Sequence, residues 1–174
     1  MLGVFRFTMI LDKIKVASVV GTTGSGKTAL VFSFLDYYKK QGKDVYILRH
    51  PNPKLIEAQG FKNLYSIEDI QSMKDLVLFI DEPQLLLPSY KKRNNDLMLN
   101  LFSLVRQRDI KLILATSNTR YINKGIESYV DTWVIKDIDY ETTKNGSTIK
   151  HIISENALID PRGFRLKVEE YLIY

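Results

Sequence analysis

The chain has 174 residues, 45% of them hydrophobic, with 25 Lys and Arg against 20 Asp and Glu, a formal charge of +5 and no cysteine. These values predict a single domain over residues 1–174 with a full core, favour an anionic partner, and exclude disulfides and cysteine-built zinc sites. His50 and His151 are too few for a histidine-built metal centre, no apolar run reaches the length of a membrane span, and Arg6 interrupts the apolar N-terminal stretch, so a cytoplasmic protein is expected.

Residues 16–20, Val-Ala-Ser-Val-Val, are short, apolar and β-branched and read as a first strand. Gly21-Thr22-Thr23-Gly24-Ser25-Gly26-Lys27-Thr28 follows. It has the glycine spacing and terminal Gly-Lys-Thr of a phosphate-binding loop. The glycines let successive backbone N–H groups turn onto a β-phosphate, Lys27 neutralises β/γ charge, and the Thr28 hydroxyl can bind Mg2+. In isolation the octapeptide would be an ordinary turn. Its setting makes it a nucleotide site, because residues 29–35 behind it suit a buried helix whose dipole adds positive potential. That helix ends in Tyr37-Tyr38-Lys39-Lys40, which reads as edge packing and C-terminal helix charge rather than a stacking platform.

Gly42 stops the helix, and residues 44–48 read as a second strand ended by His50-Pro51-Asn52-Pro53. Ser66 is a predicted N-cap, with Glu68 and Asp69 in the first turn of a short helix reaching about Met73. Residues 76–80 are apolar throughout and read as a third, central strand. A helix at 96–108, a fourth strand at 111–116, a helix at 120–128 and a fifth strand at 132–135 complete the alternation. Asn145-Gly146 predicts a hairpin turn with its return strand at 148–153, and the amphipathic residues 165–174 read as an edge strand or a docking arm. Strand and helix in turn predict an α/β fold with a mostly parallel sheet covered on both faces, plus a C-terminal β-hairpin.

The third strand ends in Asp81-Glu82. An acidic residue at the C-terminal end of a buried strand lies at the ligand edge of such a sheet, which suits Asp81 as the carboxylate that holds Mg2+ through water. Glu82 then stands where it can polarise an attacking water. Without a phosphate loop the pair would read as a turn cap and a solvated carboxylate. With one, it favours a hydrolase, because a kinase acting on a bound acceptor needs no carboxylate to activate water.

These residues resemble the additional-strand, catalytic-glutamate class of P-loop ATPases. The resemblance implies a RecA-like sheet in which strand 111–116 is inserted between the phosphate-loop strand and the Asp81 strand, giving the order 5-1-4-3-2 for the predicted strands. Within that class the chain looks like a compact member of the FtsK–HerA superfamily of DNA-translocating ATPases, most like its viral genome-packaging branch. Zot-type phage assembly ATPases are close neighbours. The likeness spans about residues 15–136 and is carried by Gly21 to Thr28, by Leu78-Phe79-Ile80-Asp81-Glu82, and by the block from Leu104 to Asn118. It implies ATP and Mg2+ as cofactors and a homo-oligomeric ring, such as a hexamer. Arg106, with Arg108 as the substitute, matches the family's arginine finger, which completes the active site of the adjacent subunit. Where the family usually carries glutamine after the fourth strand, this chain has Ser117-Asn118, and Asn118 is the candidate sensor, with Ser117 the second choice.

Three successive cations in Ser89-Tyr90-Lys91-Lys92-Arg93-Asn94-Asn95 could grip a DNA backbone, although a run of this length more commonly forms a solvated loop. The resulting expectation is an ATPase that moves double-stranded DNA into a capsid. A Zot-like assembly or secretion ATPase, a small-molecule kinase of nucleoside type, and a nucleotide-gated binding module are the alternatives.

Overall fold

A computed structural model of the protein describes residues 11–83, 92–117, 128–139, 163–165 and 172–173. In chain order the elements are strand β1 (Val16–Gly21), helix α1 (Lys27–Lys40), β2 (Asp44–Leu48), α2 (Pro53–Ala58) and β3 (Lys62–Leu64). A 3-10 turn (Glu68–Ser72), β4 (Leu76–Asp81), α3 (Lys92–Gln107), β5 (Lys111–Thr116), β6 (Thr132–Asp139), β7 (Gly163–Arg165) and β8 (Leu172–Ile173) follow.

The strands form one eight-stranded sheet in the order β3-β2-β4-β5-β1-β6-β7, with β8 also on β6. Six strands are parallel, and β7 and β8 run antiparallel to β6. The order expected for the five predicted strands is present, with β5 between β1 and β4. Residues of β4 alternate between two apolar layers, Val77 and Phe79 facing one and Leu76, Leu78 and Ile80 the other. A strand buried on both faces needs helices on both sides. Helix α1 supplies the first layer with Val31, Phe34, Leu35 and Tyr38, and α3 supplies the second with Leu101, Phe102 and Val105. Phe79 is fully buried at the centre of the sheet, a burial that contributes about 1.5–3 kcal/mol.

Two elements lie where the sequence reading has only a turn. Asn52 accepts a hydrogen bond from the Leu55 N–H at 3.2 Å and Pro53 occupies the first turn, so Asn52-Pro53 caps helix α2 as well as ending the strand before it. Helix α2 leads through Gly60 into β3, a three-residue edge strand. The segment after Ser66 is a 3-10 turn instead of an α-helix, and Ile67, not Ser66, occupies its N-cap position. Ser66 is nevertheless engaged there, its Oγ paired with the Glu68 carboxylate and its N–H donating to Asp69 Oδ2 at 3.1 Å. The unplaced C-terminal segment contributes β8 at the sheet edge. Residues 120–127 of the predicted helix, whose last residue Ser128 lies in a turn, and the hairpin 144–153, with the basic run 89–95 apart from the backbone of its last residues in α3, lie outside the described residues.

Candidate functional site

The phosphate loop joins β1 to α1, at the C-terminal edge of the sheet. Gly24 has φ 82° and Gly26 φ 84°, in the left-handed region that a side chain resists. A Cβ at Gly24 would meet nothing within 4 Å, so the dihedral and not space demands glycine there. Gly26 sits at the N-cap of α1, brings no capping side chain, and no acidic residue follows in the first turn. The first amides of α1 thus keep their positive potential for an external anion. Ser25 N–H closes the loop onto Thr22 O at 3.1 Å. Lys27 is 7% exposed and its Nζ donates to Thr22 O at 3.0 Å, which folds the cation back over the loop. Thr28 is exposed on the first turn of α1.

Asp81 closes β4 on the same edge. Burial pushes its carboxyl above the ordinary carboxylate range and the Glu82 charge adds to this, while Lys27, the Glu82 backbone N–H and His50 oppose it. The ammonium of one motif therefore acts on the carboxylate of the other, although 53 sequence positions separate them. Glu82 follows at φ 44°, an unusual conformation for a residue with a long side chain. Its N–H donates to Ala115 O at 2.8 Å, and its carboxylate oxygens accept from the Ser117 N–H at 3.2 and 3.1 Å. Because β5 lies between β4 and β1, a carboxylate bonded one residue past β5 leans toward the phosphate loop. Strain in the Glu82 backbone and its bond to Ser117 serve one geometry.

The structure thus brings together Gly21 to Thr28, Asp81, Glu82 and Ser117, the last through its backbone amide. Asn118 lies outside the described residues. Arg106 is not part of this cluster. It stands exposed on the last turn of α3, with its guanidinium 5.2 Å from the centre of the Tyr129 ring, which stacks in turn on Phe102. Helix α3 descends to the start of β5, so Arg106 is separated from the phosphate loop by the length of a six-residue strand, roughly 16–20 Å. Arg108, also exposed, accepts through its carbonyl a bond from Asp75 N–H at 2.8 Å at that same far edge. Sequence reasoning passed over His50, which it treated as a strand end. Its place just past β2, the neighbour of the Asp81 strand, was the available signal.

Among the described residues no group of three or more His, Cys, Asp or Glu could hold a metal ion. One hydroxyl and one carboxylate do fit Mg2+, which keeps much of its water and takes phosphate oxygens. No helix among the described residues is long and apolar enough to cross a membrane.

No protein-family model matches the chain, and no curated protein matches it in sequence. Solved structures do. The genome packaging NTPase B204 of Sulfolobus turreted icosahedral virus 2, in complex with ATP-gammaS, superposes with a TM-score of 0.65 at 16% identity, over 92% of this chain and 91% of that one. B204 of Sulfolobus turreted icosahedral virus, the DNA-packaging ATPase, gives 0.68 at 12% identity over 92% and 97%. The conjugation coupling protein TcpA of pCW3, with ATPgS, gives 0.56 at 14% identity over 77% of this chain and 52% of that one. The chain therefore shares the RecA-like P-loop NTPase fold of these proteins, with the topology that the FtsK–HerA resemblance implies.

Proposed function

We propose that the chain is an ATPase that moves double-stranded DNA in packaging a viral genome and works as a homo-oligomeric ring. The observation that carries the reading is the convergence of Lys27, at the start of α1 after β1, and Asp81-Glu82, at the end of β4, on one edge, with the Glu82 carboxylate leaning from β5 toward the phosphate loop. Similarity in fold over nearly the whole length of a DNA-packaging ATPase supports the choice of cargo.

In this reading the amides of residues 21–28 cradle the β-phosphate, and Lys27 releases Thr22 O to meet β- and γ-oxygens. Thr28 and, through water, Asp81 are the residues that would hold Mg2+, which neutralises charge on the phosphate oxygens when bound. Glu82 orients and polarises the attacking water from the β5 side. Asn118 is the sensor candidate and stays a proposal, as does Arg106. A finger so far from its own phosphate loop can act only on the loop of another subunit.

ATP hydrolysis by the pure protein, with and without duplex DNA, tests the reading. Stimulation by duplex DNA is the expected result. DNA-independent hydrolysis would favour an assembly or secretion ATPase, phosphate transfer to a nucleoside a kinase, and binding without turnover a nucleotide-gated module.

A further inference from the structure

His50 stands at the ligand edge with a ring held on several sides. The β2–β4 ladder closes with Ile47 opposite Phe79, so the chain leaves β2 at Arg49-His50 beside the end of β4 where Asp81 stands, and Phe32 of α1 packs edge-on against both the His50 ring and Phe79. Its backbone is fixed from β3, because His50 N–H donates to Asn63 Oδ1 at 3.1 Å and Arg49 N–H to Leu64 O at 2.7 Å. Arg49, at φ 52°, also donates from Nε to Tyr65 O at 2.7 Å. The ring is fixed as well. Its Nδ1 lies 3.1 Å from both the N and the O of Asn52, and Phe32 of α1 meets it edge-on with centroids 6.4 Å apart. With Nδ1 so engaged, Nε2 is the ring nitrogen without a partner among the described residues. Asn63 leaves a buried Nδ2 donor, also unpartnered among the described residues, beside the same turn. Packing alone would be served by an apolar ring, and needs neither the Nδ1 contacts nor the two vacant polar groups.

We infer that His50 is a positioning residue of the hydrolytic site: its Nε2 holds the Asp81 carboxylate, through a bridging water, in the orientation that nucleotide-bound Mg2+ requires. The inference rests on the ATP-hydrolysis reading above. Electrostatics agree with the geometry, since His50 joins Lys27 in favouring the ionised Asp81 against its burial. Outer groups that orient a metal-binding carboxylate or imidazole commonly matter by about ten- to a hundredfold.

Two variants separate polarity from packing. His50→Phe keeps a ring against Phe32, and His50→Gln keeps a polar end without the ring. The readouts are the Mg2+ concentration for half-maximal binding of a fluorescent ADP analogue, kcat and KM for ATP, and Tm. His50→Phe should raise the Mg2+ requirement and lower kcat by about tenfold or more, with a smaller change in KM and an unchanged Tm. His50→Gln should recover part of both losses. A His50→Phe protein with unaltered Mg2+ requirement overturns the inference, as do equal losses in both variants accompanied by a lower Tm, which mark a packing role. If the unmutated protein turns over no ATP, the hydrolysis reading itself has failed and the inference falls with it.

Discussion

The two ends of the parallel sheet solve the same geometric problem with different residues. At each end a non-glycine residue turns the chain in the left-handed region beside a strand: Asp75 and Asp109 where the chain enters β4 and β5, Arg49 and Glu82 where it leaves β2 and β4. Aspartate tolerates that conformation comparatively well. At the entering end each aspartate is also tied to a lysine, Asp75 to Lys43 and Asp109 to Lys15, and Asp131 accepts from the N–H groups of Lys15 and Val16 at 3.0 and 2.8 Å. The leaving end carries long side chains in the same strained backbone, a nearly buried ammonium and a desolvated carboxylate. Its polar groups lean on one another, while the entering end closes its exposed charges in surface pairs and ties the half-buried Lys111 ammonium to the carbonyls of Asp12 and Ile14 at 2.8 Å. At the leaving end the strain and the poorly solvated charge stand where a ligand can use them.

The largest expected effect tests that contrast at its centre. Lys27→Ala should abolish ATP turnover, because the phosphates lose their nearest cation and Asp81 loses a charge that opposes its protonation. Undiminished hydrolysis by the pure variant would break the comparison, since the leaving end would then be strained for no chemical reason. Glu82→Gln should leave nucleotide affinity nearly intact and slow hydrolysis by about a hundredfold or more, a loss confined to the step that activates water. Weakened binding with turnover unchanged would assign Glu82 to the phosphate cradle instead. The same variant sharpens the place of Arg106. If that arginine acts across a subunit boundary, a mixture of Glu82→Gln with Arg106→Ala should regain partial activity, because some interfaces pair an intact glutamate with an intact arginine. No rescue would leave Arg106 as the surface partner of Tyr129.

The leaving end was also the more legible in sequence. Residues 16–20, 44–48, 76–80 and 111–116 announce buried strands by unbroken or nearly unbroken apolar character, and Gly24, Gly26 and Lys27 announce the loop because few other residues satisfy those dihedrals and that charge. The insertion of β5 was different, because local pattern cannot show which parallel strands become neighbours and only family resemblance supplied the order. Helix α2 escaped because its cap, Asn52-Pro53, is spelled with the same residues as a strand-ending turn. Strand β3 is three residues long, too short for alternation to declare itself. His50 escaped for a related reason: it stands near Asp81 because β2 and β4 end side by side, whereas a motif is read along the chain. The contact between Glu82 and Ser117 was hidden in the same way, and it runs through a backbone N–H that no residue identity encodes.

The smallest expected effect lies at the entering end, at Asp109. Its side chain and that of Lys15 are 62% and 56% exposed, so water and salt screen the pair and its worth is below about 1 kcal/mol. The hydrogen bond from Lys15, with that ammonium's charge, holds the Asp109 carboxyl below its ordinary value of 3.8. A depressed acid stabilises the fold above its unfolded pKa and loses that contribution as pH falls through the lower folded value. The stability difference between the unmutated protein and Asp109→Asn should therefore be small at neutral pH, shrink as pH falls below about 4, and shrink with added salt. Asparagine accepts the left-handed backbone, so only charge is removed. Alanine does not, and Asp109→Ala should cost about 1–2 kcal/mol more through the φ of 52° alone. Calorimetric Tm values for the two variants, with ATP turnover expected unchanged in both, measure the separation. Equal losses in both would show that the ion pair outweighs the backbone there, and the entering end would then depend on charge as the leaving end does.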